Sequence, residues 1–154
     1  MKRILVLMLM LAPVSVQAQE VNIEAVKNCF GSAGIADTMP YCLGQASNAC
    51  QQQGFSSTMG IVQCIQAETK VWDDLLNEEY SAVRAMFKVR SAGGINLGEK
   101  LLQAQRAWIA YRDAECELSY ARWQEGSIRS VVFANCMMVM TAGRAIELRD
   151  MKGN

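Results

Sequence analysis

What this chain could do chemically is bounded first by what it lacks. Its 154 residues contain no histidine, which removes Ser/His/Asp triads, Cys/His dyads, imidazole zinc sites and histidine general bases. The reactive side chains left are six cysteines, ten methionines and some paired carboxylates. Cys29, Cys42, Cys50, Cys64, Cys116 and Cys136 include no Cys-x-x-Cys pair, which argues against thioredoxin-type exchange. Asp73/Asp74 and Glu78/Glu79 are adjacent acids. Glycoside hydrolysis needs two suitably spaced carboxylates, but these four are expected mainly on the wet side of a helix, without the burial that tunes a catalytic acid. No phosphate loop and no nucleophile elbow is present. Met137 and Met140 stand three residues apart beside Cys136, a spacing that would suit Cu(I). Three of the ten methionines (Met1, Met8, Met10) fall in the first eighteen residues and the others mostly in helical stretches, so core packing is the better account. The expectation is a non-enzyme without metal or cofactor.

The amino terminus supplies a compartment for the cysteines. Lys2 and Arg3 precede an apolar run from Ile4 to Ala12, then Pro13 and Val16-Gln17-Ala18, the layout of a secretory leader cleaved after Ala18. The apolar run is about half the ~20 residues that a spanning helix needs. No cysteine follows the cleavage point before Cys29, so a lipid anchor there is not expected either. The sequence therefore divides into a leader, 1–18, and a single domain, 19–154. Loss of Lys2 and Arg3 leaves thirteen basic residues against fifteen acidic ones, a net charge of −2. That balance gives no reason to expect nucleic acid as a partner. The processed chain is expected in the periplasm or outside the cell, without membrane insertion, where thiols oxidise.

Six cysteines allow fifteen connectivities, and their spacing favours one. Cys116 and Cys136 stand symmetrically about Gly126, and Cys50 and Cys64 about Ser57. Cys29 and Cys42 then flank the Gly- and Pro-containing stretch from Gly31 to Pro40.

The elements that would hold these staples are helices. Ile61, Ile65, Trp72, Leu76, Tyr80, Val83 and Phe87 recur at helical spacing, which predicts a helix over Thr58–Arg90. Ser91-Ala92-Gly93-Gly94 ends it. Asn96 three residues before Glu99 opens a second helix, to about Trp123. Gln124–Ser127 is a turn, and a third helix runs over Ile128–Arg149. Short helices are expected near Asn22–Phe30 and Tyr41–Gln52. No useful strand alternation occurs, so the fold class is all-α: a small disulfide-stapled bundle of three long antiparallel helices with a short helical amino-terminal region. If Cys116 opposes Cys136, Ile109 should face Gly143, Trp108 should come level with Arg144 within cation–π reach, and Gln105 with Glu147. Arg112 and Asp113 should lie near the same seam.

The stretch Gln105-Arg106-x-Trp108-x-x-Tyr111-Arg112-Asp113-x-x-Cys116 resembles the lysozyme-inhibitor LprI-type family. So do Trp72-Asp73-Asp74 with Asn77 and Tyr80 upstream, and Glu125-Gly126-Ser127, Cys136, Thr141 and Arg144 downstream, over about Cys50 to Leu148. The resemblance implies a small exported helical protein with disulfides and a protein partner, for which a lysozyme is the expectation. The alternative is an envelope binding or assembly factor on the same scaffold. The motif residues Asn77, Tyr80, Gln105, Arg106, Trp108, Tyr111, Arg112, Asp113 and Arg144 read mainly as architecture. Candidate partner surfaces are the acids Asp73, Asp74, Glu78 and Glu79, and the tip containing Gly93 and Gly94 between two helices.

Overall fold

The computed structural model describes residues 20–90 and 94–153. Residues 1–18, the expected leader, and Gly93 of the candidate tip lie outside the described residues. Five α-helices follow in order: α1 (Ile23–Ser32), α2 (Gln45–Gln51), α3 (Thr58–Arg90), α4 (Leu97–Arg122) and α5 (Ile128–Asp150), with a 3-10 turn at Met151–Gly153. Among the described residues no strand occurs. The three long helices begin and end within a residue or so of their expected positions, and the starts of α3 and α4 carry local capping chemistry. The Ser57 hydroxyl accepts the Gly60 N–H at 3.1 Å at the start of α3. The Asn96 side chain accepts the Glu99 N–H at 3.0 Å at the start of α4. Glycine is required at position 60, since a Cβ there would lie 2.8 Å from the Phe55 carbonyl oxygen. That close crossing folds the chain back between α2 and α3.

Connectivity makes α4 antiparallel to both neighbours, so α3 and α5 run parallel. Gln66 and Asp73 of α3 line the same groove as Ala134 and Thr141 of α5. One core joins all five helices, with Trp72, Val83, Cys64 and Cys116 and the α5 run Thr141–Ile146 buried. By length and composition α5 with its terminal turn is apolar enough to cross a membrane. In this fold it is the central helix, in contact with α3 and α4.

Cys29–Cys42, Cys50–Cys64 and Cys116–Cys136 are paired, at Cα–Cα distances of 5.6, 5.8 and 5.5 Å. These are the three expected pairings, and no free cysteine is left. Two expectations about individual positions need correction. Ile109 does not pack on Gly143: it is exposed, and Gly143 instead faces Thr38, whose carbonyl oxygen would be 3.3 Å from an added Cβ. Glu79 is not on the wet side. It is 7% exposed and pairs with Lys152 from the terminal turn. Position 79 lies three residues beyond Leu76 and four before Val83, so the helix turns it inward with them.

Candidate functional site: signature face, groove and stapled loop

The signature residues of α4 divide by helical phase. Gln105, Trp108 and Arg112 point toward α5. There Arg144 donates from Nε to Gln105 Oε1 at 3.0 Å and from Nη1 to Glu147 Oε2 at 2.9 Å. Two guanidinium groups lie over the Trp108 ring, Arg112 at 5.0 Å and Arg144 at 6.0 Å from its centroid. Arg112 in turn holds Asp113 Oδ1 at 2.8–2.9 Å. Arg106 and Tyr111 have the opposite phase. Both face solvent, Tyr111 at 60% exposure, so the motif reaches beyond the seam. Upstream, Asn77 donates to Asp73 Oδ2 at 3.1 Å, and the half-buried Tyr80 packs against the core with its hydroxyl sequestered.

Glu68 was not expected to matter, and it organises the amino-terminal third. Its buried carboxylate accepts the N–H groups of Gly44 at 2.8 Å and Ser47 at 2.7 Å, and the Trp72 indole N–H at 3.1 Å. Gly44 offers no side chain to cap α2, so an acid from another helix does it. The signal was present in the sequence: position 68 falls between Ile65 and Trp72 on the apolar face of α3.

The acidic candidates do not form one surface. Glu79 is buried, Asp74 is paired with Lys70, and Glu78 is exposed. Asp73 turns to the other side, into a groove of about 340 Å³ between α3 and α4. That groove has Phe133, Ala134 and Met137 of α5 for a floor and Lys70, Asp73 and Arg112 on its walls. At the far end of the α3–α4 hairpin, Gly94 adopts φ +81° and, with Lys88, Ile95 and Asn96, lines a shallow depression.

The stretch expected from Gly31 to Pro40 between Cys29 and Cys42 is a loop after the end of α1, and its ties to the end of α5 had no place in the sequence reading. Arg149 donates to the carbonyls of Phe30 and Gly34 and lies over the Phe30 ring at 5.3 Å. Asp150 Oδ2 accepts the Ala36 N–H at 2.8 Å. Burial pushes the Asp150 carboxyl up, but the Ala36 N–H and the Arg149 guanidinium outweigh it and hold it below its ordinary pKa. Ala36 itself sits at φ +61°, a left-handed conformation uncommon for a residue with a Cβ. Among the described residues no cluster of acids and cysteines is arranged to hold a metal ion.

The chain is 31% identical over 102 residues to an uncharacterized protein of Rhizobium meliloti (strain 1021), covering 62% of this chain and 73% of that relative. No solved structure matches. The family described as "Lysozyme inhibitor LprI" matches residues 37–148, a span that holds five of the six cysteines, the signature face and the whole of α2–α4. On that match, the chain belongs to the LprI lysozyme inhibitor family.

Proposed function

We propose that this protein is exported, loses residues 1–18, and binds and inhibits a lysozyme-like cell-wall hydrolase. The observation that carries the reading is the family match over residues 37–148. It runs through nearly the whole disulfide-bonded core rather than one short motif. Three disulfides suit a chain that folds in an oxidising compartment. They also suit an inhibitor, since a rigid scaffold loses little entropy on binding. A net charge of −2 after processing favours encounter with a basic enzyme.

The test is titration of processed protein, residues 19–154, against chicken-type, goose-type and invertebrate-type lysozymes, with calorimetry alongside. Stoichiometric inhibition of one class is expected. Neither inhibition nor heat in any class would mean that the scaffold serves another envelope partner. Mass spectrometry of the exported protein should give a chain beginning at Gln19.

A further inference from the structure

Ile35, Met39 and Tyr41 are 90%, 68% and 95% exposed, and all three stand in the loop closed by Cys29–Cys42. A single exposed apolar side chain needs no explanation. Three in one loop that is also fixed in shape do need one. The disulfide closes the base of the loop, Arg149 and Asp150 hold Phe30, Gly34 and Ala36, and the loop backbone at Thr38 rests on Gly143. We infer that this loop is the surface through which the protein engages a cationic glycosidase of the lysozyme class. The inference rests on the inhibitor reading above and adds where contact is made.

Chemistry, shape and charge all favour that occupant. Tyrosine and methionine are enriched at protein interfaces, and tyrosine recurs among their energetic anchors. A loop already held in its bound shape has less ordering cost to overcome. Its three apolar side chains are all solvent-exposed, free to enter the concave substrate cleft of a glycosidase. Asp37 is the only formal charge between Gly31 and Cys42. It is exposed and among the described residues makes no ion pair, while the neighbouring Arg149 is neutralised by Asp150. The loop therefore presents net negative charge to a basic rim. The three apolar side chains supply roughly 400 Å² of contact, about half of the ~800 Å² that one side of a standard interface needs, leaving the rest to flanking surface.

The experiment compares Tyr41→Ala, Ile35→Ala and Asp37→Lys with the unmutated processed chain, using inhibition titration, stopped-flow association and calorimetry against whichever lysozyme class the unmutated chain binds. Thermal melts confirm that each variant stays folded, as expected for exposed positions. Tyr41→Ala should weaken binding by about tenfold or more. Asp37→Lys should slow association and flatten its salt dependence. Tyr111→Ala, on the outer face of α4, should bind like the parent. Parental affinity in both Tyr41→Ala and Ile35→Ala would overturn the loop assignment and leave the inhibitor reading standing. Absence of binding by the parent chain to every lysozyme class would overturn both.

Discussion

Helix α5 is held by its two long neighbours in different ways. Toward α3 the joint is apolar: Ile65, Val71, Trp72, Leu76 and Val83 belong to one buried cluster with Met138, Ala142, Ala145, Ile146 and Leu148. Toward α4 the joint is thin. Of the residues α4 buries, Gly98, Leu101, Gln105 and Cys116, only Leu101 joins that cluster. Gln105 and Trp108 bind Arg144, and Cys116 is tied to Cys136. On its outer side α4 exposes Ala107, Tyr111, Ala114 and Leu118, so it is apolar on two sides and has no strong amphipathic bias. A helix with one continuous apolar stripe is fixed by burial alone. One without it depends on a cross-link and a polar clamp, and that is where this sequence places them.

If this contrast is right, the largest loss should come from the α3 side. Trp72→Ala removes a fully buried indole and takes the N–H donor away from Glu68, so stability should fall by about 3–5 kcal/mol in denaturant melts. Replacing Cys116 and Cys136 together by alanine should cost about 3 kcal/mol, the expectation for a closed loop of this size. Hydrogen exchange should then show α4 opening while α3 stays protected. Uniform loss of protection in α3 and α4 would mean that the two joints are one cooperative unit and that the contrast is false.

The same contrast explains what the sequence made legible. The long helices could be read because their signals are local, an apolar period in α3 and the Asn96 cap of α4, and the disulfides because each pair brackets a turn. Trp108 and Arg144 could be placed level with each other since both belong to the hairpin around Gly126, where Cys116 and Cys136 set the register. Ile109 and Gly143 could not, because that register fixes height along the helices and not rotation about them. Gly143 is turned toward Thr38, more than a hundred residues away in the chain. The loop from Ala33 to Tyr41 carries no period at all. Its shape depends on Arg149 and Asp150, which nothing in the local sequence connects to it. Glu68 lay on a readable apolar face, but a buried acid gains its meaning only once the α2 backbone it caps is in place.

Smaller effects should come from polar contacts outside the apolar joint. Glu68→Gln keeps the shape of the side chain and removes the charge that accepts two backbone N–H groups. It should cost about 2 kcal/mol in the same melts, since bonds to charged groups contribute roughly 1.5–3 kcal/mol each and glutamine retains part of them. Gln105→Ala leaves Arg144 with Glu147 as a partner, so about 1 kcal/mol is expected. An equal or larger loss than for Glu68→Gln would show the α4 clamp to be the stronger of the two.

The smallest effect belongs to Asp150, and pH reads it directly. Its carboxyl is held below the ordinary value by the Ala36 N–H and Arg149 against the opposing effect of burial. A depressed folded pKa means that its contribution is fully present above the unfolded-state value, about 3.9. That contribution is lost as pH falls through the lower, folded value. At neutral pH Asp150→Asn should therefore lower stability slightly, and the deficit relative to the parent should shrink toward zero in acid. The Ala36 amide resonance should follow the carboxylate with a midpoint below 3.9, since its N–H is the hydrogen bonded to it. A midpoint at or above that value would show that Asp150 does not hold the loop. Cys29–Cys42 and Arg149 would then be left to fix its shape, and the difference between a burial-fixed core and a loop fixed by polar ties to α5 would lose one of its supports.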